Sequence, residues 1–437
     1  MRWSPPFFLL CIAAASVPMT APLHAQGPLA PPGPPAATQK SLQEIWDKLQ
    51  AVQSTVALQQ QQINLLTLQN NALLEASGVV LPWQFKEVAA ISAATPPGSL
   101  KPSLAFSLGG VPSIAYNSGG DLKFAVMSGA AWTAISVPGS GGITGTPSLA
   151  YAPTGHALIA YHGAGTTGLM FAEFDGSDWM VTQIDDGDTG YDPSLAIAPD
   201  GTPGIAYDDP EDSRLCFARL AAGDWEFETV TTDFFTGRLP SLAFRSDGMP
   251  GVAFVDRGRP GPASPDSRGI YFAIRESDGD WSQDKVIARG NEPDDREYSS
   301  PSLAFSPNGL PGIAYESYDN EGVLCYAAGS FDLSWDHQVI CSAGDWGFSP
   351  TLAFTPSGMP AVGFITAPEW DETPSSISYA VLKGATWDLS YAGRVILDRF
   401  DTLASMAFTP AGQPAIAYSN SVTHKVSYAV RGGTTSP

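Results

Sequence analysis

Two periodicities divide the chain. From residue 79 to residue 432, short runs alternate apolar with small or polar side chains, the two-residue period of β-strands, and Gly and Pro punctuate them. The alternation recurs as a unit. It starts at Pro102-Ser-Leu-Ala-Phe106 and returns at Pro147–Tyr151, Pro193–Ile197, Pro240–Phe244, Pro301–Phe305, Pro350–Phe354 and Ala404–Phe408. Eight residues after each start stands a glycine, from Gly110 to Gly412, and fourteen after it an aromatic: Tyr116, Tyr161, Tyr207, Phe254, Tyr315, Phe364 or Tyr418. A glycine able to take φ > 0 closes a tight turn between a first and a second strand. A third strand follows, as in Leu122–Ala125 and Leu324–Ala327, and a fourth starts at Trp132, Trp179, Trp225, Trp281, Trp335 or Trp387. Four antiparallel strands in each of seven units predict an all-β, seven-bladed β-propeller.

The seventh unit stops at Val426-Ser-Tyr-Ala429, without a tryptophan strand, which would leave an unpaired edge. Upstream of the first unit, Trp83-Gln-Phe-Lys-Glu-Val88 matches the missing strand. The N-terminal segment is therefore expected to complete the last blade. The Pro-Ser-Leu-Ala strands then lie innermost, where small Ser and Ala let backbones crowd. The tryptophans lie outermost and fill the widening gaps between blades.

The second periodicity is a heptad over residues 39–76. Leu42, Leu49, Val56, Ile63 and Asn70 share one core position, and Ile45, Val52, Gln59, Leu66 and Leu73 the other. This predicts an α-helical coiled-coil stalk and a homo-oligomer, dimer or trimer. Residues 26–38 are a Pro-rich linker, and 433–437 a short tail. Residues 1–25 read as a secretory signal peptide, with Arg2, an apolar run from Phe7 to Val17 and a cleavage site at Leu23-His24-Ala25. The run is too short to span a bilayer, and Leu10 before Cys11 argues against lipidation. A secreted or periplasmic, cell-envelope protein is expected.

Charge narrows the partners. The 437 residues hold 44 Asp+Glu against 22 Lys+Arg, a net charge of −22, which argues against nucleic acid and anionic membranes. The units resemble the repeats of secreted bacterial seven-bladed propeller proteins, of the form Pro-Ser-Leu-Ala, Gly-x-Pro, Ile-Ala-Tyr. That group looks distantly akin to sialidase-type and sugar-binding, lectin-like propellers. The resemblance implies architecture and no single activity. The Ser-x-Asp-x-Gly-x-x-Trp box of sialidases is absent, Ser277-Asp-Gly-Asp-Trp281 having different spacing, and sialidases have six repeats.

With strand order fixed, the loops after second and fourth strands share one face, and length variation falls there. Acidic and aromatic residues gather in these loops. Candidate ligand-binding residues are Asp208, Asp209, Glu316, Asp319, Asp294, Asp295, Trp346 and Trp370, suited to sugar hydroxyls and ring stacking or to cationic groups. Tyr191, Tyr298 and Tyr318 are expected to be exposed beside them. Crowded carboxylates could instead hold calcium, and Asp185, Asp186 and Asp188 with Asp208, Asp209 and Asp212 are the candidates. The residue after each second-strand aromatic varies (Asn117, His162, Asp208, Val255, Glu316, Ile365, Ser419) and reads as a solvated rim. Outside the leader, His156, His162, His337 and His424 have no zinc spacing, and no Gly-x-Ser-x-Gly or phosphate loop is apparent. Cys216, Cys325 and Cys341 read as buried small apolar residues, with a Cys325–Cys341 bridge as the alternative. A non-enzymatic binding or adhesion protein for a glycan, a cationic group or a protein is thus the leading expectation. A carboxylate-dependent glycoside hydrolase and an envelope assembly module are the rivals.

Overall fold

The computed structural model describes residues 81–432 except 166, 232–237, 257–268, 289–300, 318–322, 342–345, 368–374, 396–403 and 421, together with a subset of residues between 44 and 69. The signal peptide, the Pro-rich linker and the tail lie outside the described residues.

Seven four-stranded antiparallel sheets form, each ordered first, second, third and fourth strand. In blade 1 these are Ser103–Phe106, Pro112–Ser118, Asp121–Ser128 and Ala131–Ser136. The seventh sheet takes Ala404–Phe408, Pro414–Asn420 and Lys425–Arg431, then Trp83–Ala90 as its outer strand. Trp83 pairs with Arg431, Phe85 with Ala429 and Ala90 with Lys425, across one bulge between Glu87 and Ala89. The closure expected from the sequence is present, and the Pro-Ser-Leu-Ala strands are innermost.

The core is divided rather than central. Seven apolar clusters form, each built from two consecutive blades. Leu104 and Tyr116 of blade 1 share one with Tyr428 and Val430 of blade 7, so the ring is continuous. Each outer-strand tryptophan meets edge-on the third-strand aromatic of the preceding blade. The pairs are Trp132–Tyr428, Trp179–Phe124, Trp225–Phe171, Trp281–Phe217, Trp335–Phe272, Trp387–Tyr326 and Trp83–Tyr379, with centroids 5.2–6.0 Å apart. This is the preferred quadrupole geometry, worth about 0.5–1.5 kcal/mol beyond burial. Trp83 occupies the same relation as the other six, although it comes from the far end of the sequence.

The motif serine does more than stay small. An innermost strand pairs on one side only, so its other edge carries unpaired amides. The leucine amide on that edge donates to the serine hydroxyl of the preceding blade: Leu149 to Ser103, Leu195 to Ser148, Leu242 to Ser194 and Leu303 to Ser241 at 2.9 Å, Leu352 to Ser302 at 2.8 Å, and Leu104 to Ser405 at 3.2 Å. Where the motif reads Thr351, the next blade is held by Ser349 Oγ, which accepts from Ala404 N at 3.2 Å. Ser148→Ala should cost about 1–2 kcal/mol by leaving the Leu195 amide without its acceptor. Urea unfolding of the variant checks this, with a shifted midpoint and an unchanged slope.

The described residues between Glu44 and Gln69 are helical, and the hydroxyls of Ser54 and Thr55 donate to the carbonyls of Gln50 and Ala51 one turn back. The structure supports helix there and nothing further of the expected stalk. No helix among the described residues is long and apolar enough to cross a membrane. Cys216, Cys325 and Cys341 are buried and not disulfide-bonded, so the Cys325–Cys341 bridge is not formed.

Candidate binding face

The ends of the second strands build the face. Each second strand has a partner strand on both edges and a neighbouring blade on both sheet surfaces, so it stays interior along its whole length. The solvated rim expected from sequence is therefore absent: Asn117, His162, Asp208, Val255, Glu316, Ile365 and Ser419 are each no more than 3% exposed. Counting the next residue, every blade places a polar group at this end, with Asp256 and Thr366 buried where Val255 and Ile365 are apolar. The opposite ends start with Pro in six blades and Ala157 in the other. Polarity is thus concentrated under the long-loop face.

Several of these groups brace the loops above them. Asn117 Oδ1 accepts from Gly120 N at 2.9 Å, Asp209 Oδ1 from Asp212 N at 3.2 Å, and Asn420 Oδ1 from Thr423 N at 2.8 Å. Asn117 Nδ2 also donates to Gly145 O of the next blade at 3.0 Å. Asp209 receives Arg214 Nη2 at 2.8 Å and Nε at 3.2 Å, while Arg214 pairs with Asp212 as well. Thr366 and Ser378 hydroxyls meet at 2.8 Å.

Among the described residues, the junction of blades 2 and 3 is the most elaborate. Tyr207 Oη donates to Asp185 Oδ2 at 2.8 Å, and burial pushes the Tyr207 phenol up, Cys216 and Asp185 adding to the shift. Burial likewise raises the Cys216 thiol to about 12, so it is an inert packing group and no nucleophile. His162 stacks on Tyr191 with centroids 4.0 Å apart, and Tyr191 Oη donates to Asp188 at 2.6 Å. Neither ring nitrogen of His162 has a hydrogen-bond partner among the described residues.

Burial lowers the His162 pKa, with Asp188 opposing, so the ring is neutral at pH 7. In the unfolded chain it titrates near 6.5. The unfolded state then binds the proton more readily, and His162 withdraws stability as pH falls from about 6.5 toward its lower folded value. Blades 4 and 6 carry Val255 and Ile365 at this position, so His162→Phe should fold. Urea midpoints at about pH 7.5 and 5.5 should show a smaller acid loss in the variant than in the parent. Equal losses would remove His162 from the account.

The candidate ligand residues are not gathered at one point. Asp208 and Asp209 are buried, Asp209 in its arginine pair, and Glu316 is buried under blade 5. Trp346 starts the innermost strand of blade 6. Asp294, Asp295, Asp319 and Trp370, with Tyr298 and Tyr318, lie outside the described residues. Tyr191 is half-buried under His162 rather than exposed. Of the calcium candidates, Asp185 is engaged by Tyr207, Asp188 by Tyr191, and Asp209 and Asp212 by Arg214. Among the described residues, no group of three or more His, Cys, Asp or Glu is placed to hold a metal ion.

One feature escaped the sequence. Where it is described, the residue before the motif proline sits on the long-loop side of the Pro-Ser-Leu-Ala segment. Asp192, Leu239 and Ser349 take φ of 47°, 53° and 50° there, beside bulges in three blades. A left-handed non-glycine costs about 1–3 kcal/mol, and no glycine marked these positions. The equivalent residue of blade 1 is Lys101. It is partly buried, burial lowers its pKa, and Asp192 pulls the other way.

The fold defines the class: a seven-bladed β-propeller closed by its N-terminal strand. No protein-family model matches the sequence. No curated protein matches it either. Among solved structures, the chain is similar to polysaccharide lyase Uly1, with a TM-score of 0.51 and 10% identity over 79% of this chain and 92% of that one. It is also similar to a Penicillium chrysogenum alpha-L-arabinanase complexed with arabinobiose, at TM-score 0.43 and 14% identity over 65% and 92%. The SapL1 lectin in complex with alpha methyl fucoside follows at 0.44 and 11%, over 70% and 99%. The likeness to Uly1 speaks to fold.

Proposed function

We propose that the chain is an exported glycan-binding protein whose propeller head receives its ligand on the long-loop face. The observation that supports this most is the polar asymmetry of the second strands. Every blade ends its most buried strand in a side chain able to hydrogen-bond under that face, and the other end offers proline in six blades and alanine in the seventh. Sugars need convergent polar groups held by a rigid frame. One saccharide-directed protein, polysaccharide lyase Uly1, has a similar fold, so the scaffold is compatible with such ligands.

The helical segment adds valency in this reading. Leu49, Val52, Val56, Ile63 and Leu66 fall at the heptad core positions and are 47–65% exposed. A seam of that kind is covered by a second copy of itself, giving several heads per assembly and avidity without new contacts. The test is a glycan array with the full chain, read beside light scattering. Binding without released product, at a mass that is a multiple of the protomer, is the expected result. Replacing Leu49, Val56 and Ile63 by Ser should give monomers that bind the same sugars more weakly. Silence on every saccharide would end the proposal.

A further inference from the structure

His162 is a titratable side chain sealed under the long-loop face with nothing to bond. It is 2% exposed, and both its ring nitrogens lack a hydrogen-bond partner among the described residues. Its own sheet sets Thr144 and Leu169 beside it in register, and neither titrates. The ionisable groups on this side come from blade 3 and from the linker of residues 186–190 that leads to it. Asp185, Asp186 and Asp188 belong to the approach, and Glu211 reaches toward Gly187 from the next loop. Tyr191 and Asp192 open the innermost strand, with Asp208 paired opposite Tyr191, and Arg214 beyond them is held by Asp209 and Asp212. Two of the carboxylates are already engaged by phenols: Asp188 receives Tyr191 Oη at 2.6 Å, and Asp185 receives Tyr207 Oη at 2.8 Å.

From this arrangement we infer that His162, Tyr191 and Asp188 form an acid-released latch, which holds the linker of residues 186–190 down on the long-loop face. The ring of His162 lies against Tyr191 at 4.0 Å, and the Tyr191 hydroxyl grips Asp188 in the linker. The closed linker is pressed onto blade 2, since a Cβ on Gly190 would come within 2.6 Å of Leu169 Cα. Gly187 and Gly190, at φ of 90° and 83°, give it two pivots. A protonated imidazole carries two N–H donors into a site that offers them no acceptor. It gains one by drawing Asp188 off the Tyr191 hydroxyl, or by leaving the stack for water. Either movement parts the clasp and bares Thr189, which is 8% exposed when the linker is closed. The inference goes beyond the glycan reading and does not depend on it: whatever the face receives, its shape between blades 2 and 3 changes with acidity.

Amide hydrogen exchange of the full chain at about pH 7.5 and 5.5, corrected for the intrinsic pH dependence of exchange, reads the latch directly. A ring released to water titrates near 6.5, so the open linker gains on the closed one by up to about tenfold across this interval. The amides of residues 186–190 should therefore lose protection severalfold at the lower pH, while the strand Ala157–Gly163 beneath them keeps its own. His162→Phe retains a ring for Tyr191 and cannot be protonated, so its linker should be equally protected at both pH values. Tyr191→Phe retains the stack and drops the hydroxyl, so its linker should already exchange faster at the higher pH. Melting curves confirm that each variant is folded. Parent protection that is unchanged or greater in acid overturns the latch, as does an equal loss in His162→Phe. A loss spread evenly over the seven blades shows acid acting on the whole fold and overturns it as well.

Discussion

Trp83→Ala should lower the stability of the head by about 3 kcal/mol, the low end of the range for large aromatics because the side chain is only partly buried. The loss has two sources. The indole packs edge-on against Tyr379 of blade 6 at 6.0 Å and belongs to the apolar cluster between blades 6 and 7. It also anchors the only strand that seals the ring, which Gly432 N donating to Pro82 O at 3.1 Å and Ile91 N donating to His424 O at 2.8 Å hold at its two ends. Deleting residues 79–91 removes the strand altogether and bares the Lys425–Arg431 edge, a template for intermolecular pairing. The deletant should be insoluble or melt far below the parent. A soluble deletant with the parent's melting temperature would show that the ring holds without its seal.

Arg214→Met should cost about 3 kcal/mol. The carboxylate of Asp209 is 3% exposed and receives two guanidinium hydrogen bonds, which together hold the turn between the second and third strands of blade 3. Without the arginine, the Asp212 amide at 3.2 Å is the one remaining hydrogen bond described for that carboxylate. Removing one partner of a buried pair costs more than removing both, because the survivor keeps its desolvation penalty. Arg214→Met combined with Asp209→Asn should therefore be more stable than Arg214→Met alone. A double-mutant cycle in urea measures the coupling. Additive losses would mean that solvent, not Arg214, satisfies Asp209.

The architecture was legible because its signals recur in register. The fourteen-residue spacing from Pro102 to Tyr116, repeated in every unit, defines a hairpin, and the missing tryptophan strand after Ala429 points to Trp83 as its supplier. The serine contact could have been read too. Serine or threonine at an otherwise apolar position of every unit, where alanine would crowd less, is a request for a hydroxyl. The face was less legible, for a physical reason. Variation after the second-strand aromatic suggests a solvated rim and misplaces Asp208, Glu316 and His162 there, because a strand flanked by sheets on both sides has no wet side. Backbone conformation at Asp192, Leu239 and Ser349 left no trace, since none is glycine.

Joining residue 83 to residue 431 also sets an order of events during synthesis. The strand that leads the ring has its partner in the seventh blade, so it must wait while more than three hundred residues are added. A chain cut short anywhere before Lys425 has no place to dock it and keeps two open edges, visible to chaperones and proteases. Only a polypeptide that extends through Arg431 can hide both, which makes the seam a check that all seven blades have been synthesised.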